Sequence, residues 1–175
     1  MVSAKLLPVA GELRMDAERA ITLLAQARAA AKDAGGILEN QEALDALELG
    51  ARRIDFIGYK FQIAADCGTL YGQALAMAGD KNHWDDVSEK LYSISSNNGR
   101  LQDIRDGYSQ LGELYRQAWL RDNRPYWLAN NMAHYDRETQ MWIGRGEQWQ
   151  MVIHRWHTTH ALPPATEVGL QAAGN

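Results

Sequence analysis

Between about residues 39 and 78, apolar or small side chains recur at alternating intervals of three and four. They are Leu44, Leu47, Ala51, Ile54, Gly58, Phe61, Ala65, Gly68, Gly72 and Leu75. That spacing is the seam of a packed α-helix. Five of these ten positions are Ala or Gly, which predicts a close neighbouring helix, although a mid-helix glycine costs about 1 kcal/mol of propensity. A second stripe, Phe56, Ile63, Leu70 and Met77, predicts burial on another side as well.

The same reading divides the rest of the chain. Residues 12–34, rich in Ala, Leu, Arg and Glu, predict a first helix that Gly35-Gly36 ends. A break at Gly79–Asn82 precedes a third helix over 83–121, with the seam Trp84, Val87, Leu91, Ile94, Asn98, Leu101, Arg105, Tyr108, Gly112, Tyr115 and Trp119. The run SISSNNGR interrupts that seam with polar residues, which predicts a kink or a polar pocket. Pro125 then predicts a fourth helix from there to His160, capped by Asp122 or Asn123. Along it Leu128, Tyr135, Trp142, Trp149 and Trp156 recur every seven residues, with Asn131, Glu138, Arg145 and Val152 between them. The fold class is therefore all-α: a long antiparallel bundle of about four helices over 12–160, after an extension 1–11 and before a tail 161–175. Leu162 or Val168 is expected to dock the tail, leaving its last residues loose.

Composition narrows the function classes. At 175 residues and 46% apolar, the chain suits one domain with a real core. A formal charge of -4 and a pI near 5.7 argue against a general nucleic-acid binder. No run of about 18 apolar residues is present to cross a membrane. The opening MVSAKLLPVAGELRM is too weakly apolar for a secretory signal. The expectation is a cytoplasmic chain or a piece of a longer protein, with the compartment open. The single cysteine, Cys67, excludes an internal disulfide, and its small-residue setting reads as packing. No sequence feature calls for a cofactor.

Three constellations carry candidate chemistry. His154, His157 and His160 in HRWHTTH lie on one slowly rotating face and form a weak candidate metal site; without HExxH or a nearby carboxylate, a solvated histidine face is the competing reading. A di-metal carboxylate bundle would need Glu-x-x-His on two helices, and the sequence has none. Asp103, Asp106, Asp136 and Glu138 with Tyr108, Tyr135 and Trp142 have the composition of a sugar site, in which carboxylates flank aromatic rings. Rings at seven-residue spacing also fill cores, and charges beside them also bridge helices, as Arg105 with Glu138 or Arg145 with Asp106 would. Six tryptophans further suggest a protein interface, with a second copy of the chain as one occupant.

The segments LGARRIDFIGYKFQIA (49–64), residues 98–136 and the closing LPP (162–164) carry a family resemblance, densest at WLRDNRPYWL (119–128). From about Leu38 onward the chain resembles the helical region that follows the catalytic barrel in some bacterial members of glycoside hydrolase family 20, the β-N-acetylhexosaminidases. That family's catalytic signature is an adjacent Asp-Glu pair on the barrel. The nearest match here is Asp85-Asp86, at a helix start. The resemblance therefore implies an accessory, non-catalytic helical domain, as a truncated or split product, with a catalytic barrel as partner and carbohydrate nearby. The parent family is usually exported. Asn123, Arg124, Tyr126 and Trp127 are the candidate face toward barrel or sugar, with Arg105 and Asp106 as further ligand or domain-interface candidates.

Overall fold

The computed structural model describes residues 6–35 and 40–170. It contains α1 (Leu6–Asp33), α2 (Gln41–Met77), a 3-10 turn (Lys81–His83), α3 (Trp84–Ile94), α4 (Arg100–Asp122) and α5 (Leu128–Thr159), with no strand among the described residues. The all-α class holds, with five helices rather than four. Gly36, Leu38 and Glu39, to which sequence boundaries were assigned, lie outside the described residues.

α2 is the spine. α1 packs on it and, among the described residues, makes no other substantial interhelical contact, while α3 and α4 also pack on it and α5 packs on α4 and α3. Antiparallel pairing follows from the contacts: Arg14 reaches Asp55 and Gln62 at 2.8 and 2.7 Å, and Arg28 reaches Asp45 at 2.8 Å. α1 starts at Leu6, well before residue 12, because Pro8 sits in the first turn, where a missing N–H leaves no bond unmade.

The two stripes of α2 exchange roles. Phe56 and Ile63 from the second stripe are buried with Cys67, Tyr71 and Ala74, and Leu70 and Met77 pack against them. On the longer seam Ala51 and Gly58 are buried, but Leu47 and Ile54 are 62% and 44% exposed. Only at Gly58 does that seam admit a helix closely: a Cβ there would lie 2.6 Å from the Ala10 carbonyl oxygen. At Gly68 and Gly72 a Cβ would meet nothing within 4 Å. The buried residues of α1 are the small Ala10 and Ala17.

The third helix of the sequence reading is two helices on one track. The chain leaves helical geometry at Ser95 (φ -136°, ψ 89°) and resumes after Gly99. A Cβ on Gly99 would come within 2.6 Å of the Ser96 nitrogen, so the turn excludes any side chain there. Ser95 is buried; its carbonyl accepts from Gln150 Nε2 at 3.0 Å, and its hydroxyl faces the Gly146 carbonyl at 3.4 Å. The polar run thus breaks the rod, and α5 satisfies the backbone that the break exposes.

Along α5 the heptad of large side chains is graded. Trp149 and Trp156 are buried, Trp142 and Tyr135 half-buried, and Leu128 is half-buried at the helix start. The tail docks as expected: Leu162 and Val168 both pack on the core, and Tyr71 donates to the Pro163 carbonyl at 2.6 Å. Residues 171–175, expected to be loose, lie outside the described residues.

Candidate functional site

The segment joining α4 to α5 is built differently from the expectation of a helix starting at Pro125. Asn123 is extended and closes α4 through its N–H to the Trp119 carbonyl at 2.9 Å. α5 starts only at Leu128, because Trp127 takes the left-handed conformation, φ 62° and ψ -5°. A bulky aromatic residue there is strained, since its Cβ crowds the backbone. Trp119 Nε1 donates to the Arg124 carbonyl at 2.9 Å and pins the turn from beneath. The outcome is a tip on which Tyr126 is 77% and Trp127 68% exposed, with Asn123, Arg124 and Leu120 also exposed around them. All four sequence candidates on this turn face outward.

Arg105 and Asp106 lie elsewhere. They sit about 25 Å down α4 from its C-terminal end, at 1.5 Å per residue. Asp106 accepts from Gln102 Nε2 at 2.9 Å, and Arg105 sits 3.4 Å from Asp106 itself. The bridges Arg105–Glu138 and Arg145–Asp106 do not form; Arg145 instead donates to Gln148 at 3.1 Å. Arg105 lines a shallow cleft with Gln102, Trp142 and the Ser95–Asn97 break.

The mixed carboxylate and aromatic set is also divided. Asp103 accepts from Tyr59 at 3.3 Å, and Asp136 is exposed. Glu138, Tyr108 and Tyr135 come together with Tyr115, Asn131, His134 and Arg53 around an open cavity of about 440 Å³ between α2, α4 and α5. Gly112 lets α5 close on this region, since a Cβ there would lie 3.1 Å from that of Tyr135. Asn131 Nδ2 donates to the Tyr115 hydroxyl at 2.8 Å, and Lys60 Nζ to the Tyr108 hydroxyl at 2.5 Å. Burial pushes the Tyr108 hydroxyl up to about 12, with a hydrogen bond to Glu138 and the charge of that carboxylate adding to it, so it stays protonated at neutral pH. The hydroxyl of Tyr135 and Nε1 of Trp142 are buried without a partner among the described residues. Sequence reasoning named three of these residues but missed Tyr115, Asn131 and Arg53 as their companions. The i, i+4 pair Asn131–Tyr135 and the spacing Tyr108–Tyr115 were the available signals.

The three histidines do not come together. His157 meets the Tyr92 hydroxyl at 3.0 Å, His160 stacks on Trp84 with centroids 3.5 Å apart, and His154 lines an open groove beside the tail. Among the described residues no group of three or more His, Cys, Asp or Glu side chains is placed to hold a metal ion. Cys67 is buried, and burial pushes its thiol up to about 12, which leaves no thiolate for chemistry at neutral pH. No helix among the described residues is long and apolar enough to cross a membrane.

No family model matches the sequence, and comparison with curated proteins and with solved structures finds no match either.

Proposed function

We propose that this chain is an accessory helical domain of a β-N-acetylhexosaminidase-like, carbohydrate-active protein, with no hydrolase activity of its own. Its docking face is the turn 123–127. One observation carries the reading: the strained, outward-facing Trp127 with Tyr126 beside it, placed in the very stretch that resembles the family. Strain held in place by neighbouring bonds is characteristic of positions kept for contact rather than for folding, and Trp and Tyr are the rings that anchor interfaces. Arg124 adds a cation on the rim, suited to an acidic or polar partner surface.

The experiment has two arms. The isolated chain, offered a chromogenic N-acetylglucosaminide, should give no turnover; genuine turnover overturns the non-catalytic reading. A barrel domain encoded next to this chain, carrying an adjacent Asp-Glu pair, should co-purify with it. The double variant Tyr126→Ala/Trp127→Ala should lose that association while melting as the wild type does. Retained association, or self-association of the chain through the same rings in its place, sinks the docking assignment.

A further inference from the structure

We propose that the helical hairpin α1–α2 pairs face to face with the same hairpin of a second copy, giving a two-fold dimer joined by an intermolecular four-helix bundle. No residue of the turn 123–127 takes part, so this inference does not rest on the docking role of that turn.

Along α2, Leu47, Ile54, Phe61, Gly68 and Leu75 recur every seven residues. Within about 60° of that line, at about 100° per residue, the helix carries only Ala, Gly, Ile, Leu and Phe. Along α1, Val9, Asp16 and Leu23 repeat the seven-residue step, with Leu13, Ala20 and Ala27 between them.

The contacts between the two helices place both lines on one side of the hairpin. Arg14 and Arg28 of α1 reach Asp55 and Asp45 of α2. These ion pairs lie on the side turned to the rest of the bundle. Asp45 also meets Arg121 of α4, and Tyr59, under the Arg14 guanidinium, donates to Asp103 of α4. Because the helices are antiparallel, the two lines then fall together on the opposite side, away from α3, α4 and α5. Six of the thirteen exposed large apolar side chains lie there: Val9, Leu23, Leu47, Ile54, Ile57 and Leu75. Single exposed apolar residues need no partner, whereas a continuous face across two helices marks an interface.

Size and charge both fit a second copy. Over the 28 residues of α1 the face is about 42 Å long and about 20 Å wide, roughly 800 Å², which is what each partner contributes to a stable interface. Asp16, on the outer rim of α1, and Arg53, on the outer rim of α2, have no opposite charge within 4.0 Å among the described residues. The pair Arg14–Asp55 sets residues 16 and 53 at the same height in the antiparallel hairpin. A two-fold axis parallel to the helices lays α1 over α2 of the other copy, so that Asp16 meets Arg53 of the partner subunit on both rims.

The full chain is followed by sedimentation velocity over a wide concentration range, with far-UV circular dichroism as the check on folding. The wild type should run as a dimer. Ile54→Glu and, separately, Ile57→Glu should each weaken association at least about tenfold with helicity unchanged, because each buries a lone carboxylate in the interface. Asp16→Arg should weaken it less, and adding Arg53→Asp should restore it. Tyr126→Ala/Trp127→Ala should leave the dimer intact, which separates this face from the docking turn. The proposal is overturned if the wild type is monomeric throughout, or if both glutamate variants still dimerise. It is equally overturned if those variants lose helicity, since the face would then serve the fold, or if the turn variant is the one that dissociates. A charge swap that restores nothing overturns the parallel arrangement.

Discussion

Tyr71 and Tyr135 sit on long helices in different regions of the bundle, and their hydroxyls meet opposite fates. Tyr71 is fully buried, stands edge-on to Trp149 with centroids 5.2 Å apart, and donates to the Pro163 carbonyl. Around it the region of α3, the C-terminal half of α5 and the tail is mostly satisfied: Trp156 is buried and gives its Nε1 to Ser88 at 3.0 Å. Trp84 is the exception, its Nε1 unpaired while its ring stacks on His160. Tyr135, in the region of α4 and the N-terminal half of α5, is half-buried with an orphan hydroxyl beside an open cavity. Both regions draw on the same heptad of rings. What separates them is whether a further segment arrives to cover and bond the ring. The tail does so at one end; the exposed turn at the other does not.

Removing a ring should hurt far more in the region of Tyr71 and Trp156, where the rings are fully buried. Trp156→Ala should cost about 3–5 kcal/mol in a urea melt; a loss below about 1 kcal/mol would mean that this region is not the core. Gly58→Ala probes the thin contact of α1, because its methyl would collide with the Ala10 backbone oxygen. A net cost of about 1–2 kcal/mol is expected, the steric term outweighing the gain in helix propensity, and hydrogen exchange should show α1 opening first. The tyrosine pair tests the comparison directly. Tyr71→Phe leaves the Pro163 carbonyl without its donor and should cost about 1–3 kcal/mol, whereas Tyr135→Phe should be neutral or stabilising. Equal losses from the two would erase the distinction.

The smallest expected effect is electrostatic. Burial works to raise the Glu48 carboxyl, but hydrogen bonds from Arg52 and Arg28 overcome it and hold the group below its ordinary value of 4.5. A depressed carboxyl stabilises the fold above its unfolded value and stops doing so as pH falls through its folded one. The α1–α2 pairing should therefore be constant above about pH 5 and weaken below pH 4.5. With Arg52 well exposed, the effect should stay within about 1 kcal/mol. Glu48→Gln should flatten this part of the pH profile, and an unchanged profile would remove Glu48 as its source.

Much of the helical layout was legible, because three-four spacing records a helix face wherever it occurs. The break at Ser95–Gly99 was legible as an interruption, though its severity depended on Gln150 reaching across from another helix. The candidate site was legible only in pieces. Tyr108, Tyr135 and Glu138 were singled out together and do line one cavity. Asp103, Asp106 and Asp136 were grouped with them by composition, yet helical geometry turns the first two toward other partners and leaves Asp136 exposed.

By itself the sequence determined the all-α class and the heptad of aromatic rings. These follow from residue order alone: periodicity selects the helix, and the proline and polar run around residue 125 interrupt it. Only the tertiary structure decided which stripe of α2 faces the core, because a helix with two apolar stripes buries the one its larger neighbours cover. It also decided which hydroxyls are satisfied. Tyr71 finds its acceptor 92 residues away, a pairing no local pattern encodes, while Tyr135 is left beside a cavity with its bond unmade.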